Sequence, residues 1–171
     1  GASITGNAAK TISAGSGTVT VNNNGGNIQS LHAISSAGNI FIGTSSPGVT
    51  STATGVSLGG AVTNTAGNIV VLTNSGGITT GAGISSNGTV TASVLSSGDL
   101  VVTGPMSGTT LSLETKGVGN KITMGTGAGI LNGSVAVTLT TNGGGIDSTG
   151  GNLSITSSGT ATLALSQGAN I

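Results

Sequence analysis

Gly67-Asn68-Ile69-Val70-Val71 and Gly88-Thr89-Val90-Thr91-Ala92 share one pattern: a glycine, a small polar residue, an aliphatic residue, then an extended segment. Ile69, Val90 and Leu111 are evenly spaced, Leu153 lies two further steps of the same size along the chain, and Val19 and Ile40 are separated by one such step. A fixed period of this kind, about 21 residues, is the mark of a repeat architecture. The opening unit recurs as Gly17-Thr18-Val19, Gly26-Asn27-Ile28, Gly38-Asn39-Ile40, Gly98-Asp99-Leu100, Gly133-Ser134-Val135 and Gly151-Asn152-Leu153, with altered copies around Leu111 and Ile122. The step from Ile40 to Ile69 is longer and Val135 lies slightly out of register, which places insertions near Pro47 and near Gly125 to Gly129.

Each unit has a physical reading. Glycine supplies a positive φ at a corner, and Asn, Asp, Ser or Thr beside it bonds the local backbone in an Asx- or ST-type turn. Asn27, Asn39, Asn68 and Asn152 are the expected corner residues. The segment after the corner alternates with period two, as in Val19-Thr20-Val21, Ile40-Phe41-Ile42, Leu111-Ser112-Leu113, Val135-Ala136-Val137 and Leu153-Ser154-Ile155. This is the pattern of short strands with aliphatics inward and hydroxyls outward. Two corners and two or three such strands fit in one repeat. The expected fold is therefore an all-β parallel β-helix (β-solenoid), with about eight coils of roughly 21 residues in a rod roughly 40 Å long. One continuous solenoid spans 1–171 without clear end caps. Its expected core ladder is Val19, Ile40, Ile69, Val90, Leu111 and Leu153, with amide ladders along the corner asparagines.

Composition agrees with a narrow interior. One aromatic residue (Phe41) and no Trp, Tyr or Cys leave Val, Ile, Leu and Ala to fill the core. Disorder normally combines low hydrophobicity with high net charge; here the net charge is zero and the mean hydropathy is +0.36. Glycine at 34 of 171 residues and the lack of any helical periodicity exclude extended helix. The competing architecture is an antiparallel sandwich of the kind found in surface or tail-fibre modules, because Asn24-Gly25, Asn87-Gly88, Asn132-Gly133 and Asn142-Gly143 are also hairpin-turn dipeptides. The fixed spacing of strand starts favours the solenoid.

The same composition removes most chemistry, and the chain reads as a non-enzyme. Three lysines, no arginine and three acids do not neutralise a nucleic-acid backbone or hold an anionic membrane surface. No apolar run approaches the roughly 20 residues of a membrane helix, and no basic-then-apolar leader comes after Gly1. Asp99, Glu114 and Asp147 fall in different coils, whereas glycoside hydrolysis needs two carboxylates flanking one bond. Glu114 and Lys116 share a strand face and read as a surface ion pair with Lys121 nearby. The single histidine, His32, has no partners for a metal site or a triad. No glycine-rich phosphate cradle or Asp-bearing calcium repeat is present, so no cofactor or metal is expected. Asn87, Asn132 and Asn152 match the N-x-[ST] sequon, a frequent coincidence in so polar a chain.

The stretches Ala66-Gly67-Asn68-Ile69-Val70-Val71, Asn142-Gly143-Gly144-Gly145-Ile146 and Thr149-Gly150-Gly151-Asn152-Leu153-Ser154-Ile155-Thr156 resemble, in repeat style, the filamentous-haemagglutinin-like exoproteins and autotransporter passengers of bacteria. The resemblance implies an exported, right-handed β-helical fibre at the cell surface, with roles in adhesion, aggregation or biofilm. The Asn-Pro-Asn motif of that family's secretion domain is absent here. Implied partners are copies of the chain itself through open solenoid ends, flanking repeats of a longer chain, and a host or matrix glycan or protein. Two further readings compete. One is a structural filament or sheath subunit, since Ala2-Ser3-Ile4-Thr5-Gly6 and Ala161-Thr162-Leu163-Ala164-Leu165 already read as coils and open ends template further pairing. The other is an ice-binding solenoid, suggested by Thr18/Thr20, Thr52/Thr54, Thr63/Thr65, Thr89/Thr91, Thr138/Thr140 and Thr160/Thr162, although these pairs are irregularly spaced.

Overall fold

The computed structural model describes residues 2–6, 11–44, 50–125, 130–150 and 153–166. Nineteen strands lie among them: β1 (Ile4–Thr5), β2 (Ile12–Ala14), β3 (Val19–Val21), β4 (Asn27–Leu31), β5 (Ile34–Ser36), β6 (Ile40–Ile42), β7 (Gly55–Leu58), β8 (Val62–Asn64), β9 (Ile69–Ser75), β10 (Ile78–Thr80), β11 (Ile84–Ser86), β12 (Thr89–Ser97), β13 (Leu100–Val102), β14 (Met106–Val118), β15 (Ile122–Met124), β16 (Ile130–Asn142), β17 (Ile146–Asp147), β18 (Ser154–Ser157) and β19 (Thr160–Ser166). Every pairing between them is parallel, and no helix is present among the described residues. The chain is a β-solenoid.

Each coil contributes to three columns of strands. The first is a seven-stranded sheet in the order β1-β4-β7-β10-β13-β15-β17. The second stacks β2, β5, β8 and β11 onto the start of β14, then β16 and β18. The third stacks β3, β6, β9 and β12 onto the middle of β14, then β16 and β19. Because β14 and β16 run through the corner between the second and third columns, those columns join into one larger sheet.

Inside, the columns present three aliphatic ladders. Ile28, Val56, Ile78, Leu100, Ile122 and Ile146 rise through the first, Ile34, Val62, Ile84, Met106 and Leu131 through the second, and Val19, Ile40, Ile69, Val90, Leu111 and Val137 through the third. All are at most 5% exposed and belong to one apolar cluster. Each rung fills the space between the coils above and below, and burial of such a side chain contributes roughly 1.5–3 kcal/mol.

Three expectations are corrected. The rod has about six turns rather than eight, because several coils are longer than the expected repeat. The third column places Val19, Ile40, Ile69, Val90, Leu111, Val137 and Ala161 one above another, and the steps from Ile40 to Ile69, from Leu111 to Val137 and from Val137 to Ala161 are the long ones. At about 4.8 Å per turn the rod is roughly 30 Å long. The first two of those steps span residues 45–49 and 126–129, which lie outside the described residues. The glycine-polar-aliphatic unit also opens strands of two columns rather than one: Gly26-Asn27-Ile28 and Gly98-Asp99-Leu100 enter the first column, and Gly38-Asn39-Ile40 and Gly67-Asn68-Ile69 the third.

Leu153 is not a rung of the third ladder. The step from Met106 to Leu131 is already longer than that from Ile84 to Met106, and the register break between Gly108 and Thr110 adds one more residue of β16 at the corner, so Val137 takes the place above Leu111 and, after another long coil, Ala161 the next. Leu153 instead precedes β18 and packs, half-buried, against the core edge. The same bulge turns Val135 outward, where it is 58% exposed. Nor do the Asn-Gly dipeptides make hairpins: Asn132-Gly133 lies inside β16, and Asn87-Gly88 turns the corner from β11 to β12.

Two glycines are needed for close approach. Gly43 and Gly76 have φ of 76° and 79°, and a Cβ at either would run into the carbonyl of the neighbouring coil, Leu72 and Thr54 respectively. On the outer side of β6 and β9, Phe41, Val70 and Leu72 break the outward alternation and pack into a small second apolar cluster.

Candidate functional surfaces

The corner asparagines act between coils. The Asn39 side-chain oxygen accepts the Asn68 N–H at 2.9 Å, and that of Asn68 accepts the Thr89 N–H at 2.8 Å. Asn27 accepts the Thr54 hydroxyl at 2.7 Å. The bonds at Asn39 and Asn68 therefore join side chain to backbone one coil away, in place of the expected amide-to-amide ladder. Asn152 lies outside the described residues.

A second set of polar residues points inward at the corner before the third column. The buried Ser36, Asn64 and Ser86 each donate to a glycine carbonyl one coil below, at Gly17, Gly38 and Gly67. Each also accepts from the N–H two residues ahead, of Gly38, Ala66 and Gly88. One side chain thereby satisfies two backbone groups that a tight buried corner would leave unpaired, each costing about 1–3 kcal/mol if orphaned.

Among the described residues the charged groups are engaged locally and do not converge. Asp99 accepts the Lys121 N–H at 2.7 Å, Glu114 accepts the Ser93 hydroxyl at 3.1 Å and faces Lys116 at 3.6 Å, and Lys121 lies 4.0 Å from Asp147. The Thr149 hydroxyl and N–H both donate to Asp147, and with Lys121 nearby they hold its carboxyl below its ordinary value. Such exposed pairs add little to stability, because water screens them. His32 is half-buried with its ring beside Gly59. No cluster of three potential metal ligands occurs among the described residues, and no helix there is long and apolar enough to cross a membrane.

The outer faces carry hydroxyls in ranks. On the second column Ser13, Ser35, Thr63, Ser85, Ser107 and Asn132 stack one per coil, with hydroxyl contacts of 3.2 Å between Ser35 and Ser13 and 2.9 Å between Ser107 and Ser85. Two open grooves of about 300 Å³ lie along this rank. On the third column the longest strands, β12, β14, β16 and β19, align Thr91, Ser112, Thr138 and Thr162 in one rank and Thr89, Thr110, Ala136 and Thr160 in the next. Unequal steps between these positions hide the alignment in the sequence. Thr138 matches Thr91, while Thr140 falls opposite Glu114 in a third rank. Thr20 belongs to the Thr91 rank too, but Phe41 and Val70 interrupt it.

Comparison of the chain with known protein families, curated proteins and solved structures gives no match in any of the three.

Proposed function

We propose that the chain is a load-bearing segment of a rigid extracellular fibre at a bacterial cell surface, serving adhesion, aggregation or a biofilm or sheath scaffold, and that its role is mechanical rather than enzymatic. The observation that carries this reading is the condition of the outermost described coil. Ile4 and Ile12 stand at the foot of the first and second ladders and are 36% and 40% exposed, whereas the rungs above them, Ile28 and Ile34, are fully buried. Among the described residues β1 and β2 are edge strands, and an edge with apolar rungs favours pairing with a further coil, from the same chain or from another copy. The dispersed acids, each already held by a local partner, support a role without chemistry. The repeat style shared with bacterial exoproteins supports the cell-surface setting.

Electron microscopy across a concentration series, paired with sizing in solution, tests it. The expected result is unbranched filaments with an axial repeat near about 4.8 Å, reduced to single rods by Ile12→Lys. Single rods of the unaltered chain at every concentration, together with no binding to cells or matrix, would overturn the reading.

The hydroxyl ranks on β12, β14, β16 and β19 favour a second reading, an ice-binding solenoid. Side chains spaced about 4.8 Å between coils and roughly 6.6 Å along each strand form a regular, neutral array open to solvent. It covers four coils, one position is Ala136, and the adjoining rank holds Glu114, so the fibre reading ranks first. Thermal hysteresis that disappears in Thr138→Lys would reverse that order.

A further inference from the structure

Four Asn-Gly pairs occur in the chain, and the fold separates one of them from the rest. Glycine has no Cβ to shield its own N–H, so an Asn-Gly pair is the sequence most open to attack of that nitrogen on the asparagine carboxamide. Ring closure also needs a free asparagine side chain and backbone room to turn. Asn132-Gly133 lacks the room: Asn132 is paired in register with Ser107 on one side and Thr156 on the other, and Gly133 is buried within β16. Asn87 is tethered through its amide to the Thr65 carbonyl at 2.8 Å, and the Gly88 N–H is taken by Ser86 at 2.9 Å. The Asn142 amide donates to the Lys116 carbonyl at 3.0 Å while its own carbonyl accepts the Gly119 N–H at 2.8 Å.

Asn24-Gly25 differs in its side chain and in its surroundings. Both residues are exposed in a turn, and the Asn24 amide makes no hydrogen bond to a described residue. A Cβ built on Gly25 would meet nothing within 4 Å, so the turn is open on that side. Its φ of 77° suits the third residue of a type II turn. The single restraint is a Gly25 N–H bond to the Thr52 carbonyl, at 3.2 Å among the longer backbone bonds between coils.

We propose that Asn24 is a site of spontaneous deamidation in the folded protein. The Gly25 nitrogen, losing its proton to solvent base, forms a bond to the Asn24 Cγ. The carboxamide C–N bond breaks, and ammonia leaves with a proton regained from water. Water then opens the cyclic imide at either carbonyl, leaving aspartate or isoaspartate at position 24. Three lysines balance three acids in this chain, so a single event moves the net charge from zero to −1. Isoaspartate also adds a main-chain atom to a corner clamped by Asn23, whose amide donates to the Ala2 and Asn27 carbonyls at 2.7 and 2.9 Å.

The test is peptide mapping of the intact chain incubated at mildly alkaline pH, folded and in denaturant. Position 24 is expected to convert at a rate within about threefold in the two states, and Asn87, Asn132 and Asn142 to be slowed about tenfold or more by folding, as ordered backbone resists local opening. Isoelectric focusing gives an independent readout: the acidic species that accumulates in the unaltered chain is absent in Asn24→Gln. Conversion of Asn87 or Asn142 as fast as position 24 in the folded chain, equal protection of all four, or an undiminished acidic species in Asn24→Gln would overturn the proposal.

Discussion

Truncating Leu111 to alanine removes three carbon atoms from the middle of the third ladder. Leu111 is fully buried between Val90 and Val137, and its strand is hydrogen-bonded to the coil on either side. At about 0.8 kcal/mol per buried methylene the lost transfer energy alone is roughly 2.4 kcal/mol. The cavity adds to this, because the spacing of the neighbouring coils is set by continuous ladders and the site collapses little. Leucine-to-alanine changes in such positions cost about 2.7–5 kcal/mol, and the upper half of that range is expected here. Ser112, the next residue, faces outward and is half-buried, so Ser112→Ala should stay within about 0.5 kcal/mol. Urea unfolding monitored by far-ultraviolet circular dichroism measures both, with an unchanged slope confirming that each variant unfolds the same surface. Comparable losses for the two variants, or a Leu111→Ala cost below about 1 kcal/mol, would refute the inward-outward assignment of β14.

Further outcomes depend on the corrected register. Val137→Ala should cost clearly more than Leu153→Ala in the same denaturant assay, because the former opens a buried rung and the latter trims a half-buried edge; the reverse order would restore an evenly spaced ladder. Ser86→Ala leaves the Gly67 carbonyl and the Gly88 N–H without their partner, and should cost about 1–3 kcal/mol, whereas the outward Ser85→Ala should be near neutral. For Asp147 the folded carboxyl is held down by Thr149 and Lys121. A depressed folded value stabilises the fold above the unfolded value and loses that contribution as pH falls through the folded one. The Asp147 titration recorded by NMR should therefore have its midpoint below the ordinary aspartate value, and Thr149→Val should raise it; a midpoint at or above the ordinary value would contradict the Thr149 contacts.

The part of the fold legible in the sequence is the part in which coil length stays constant. Ile69, Val90 and Leu111 are evenly spaced and stack one above another, so the period in the chain is the period in space. Leu153 satisfies the same arithmetic and fails, because both coils after Leu111 are longer than the repeat, and the bulge in β16 supplies only one of the extra residues. Corners also outnumber coils, since glycine-polar-aliphatic units open both the first and third columns. The inward polar residues Ser36, Asn64 and Ser86 carry a weaker signal: two of them sit two residues before the glycine of a unit, the local mark of an ST turn. The threonine ranks of the third column are hidden for the opposite reason. Thr91, Thr138 and Thr162 come together only after steps of unequal length are folded into equal turns.

The stacking itself is most directly tested by crosslinking, because the chain has no cysteine of its own. Paired cysteines replacing Thr91 with Ser112, Ser112 with Thr138, and Thr138 with Thr162 occupy adjacent strands at the same outward position, about 4.8 Å apart and within the span a disulfide bridges. Each pair is expected to close an intramolecular disulfide in the folded monomer under mild oxidation, while Thr91 paired with Thr138, two coils and about 9.6 Å apart, stays open. Failure of the Ser112 and Thr138 pair to close, or closure only between molecules, would contradict a solenoid in which these strands lie one coil apart.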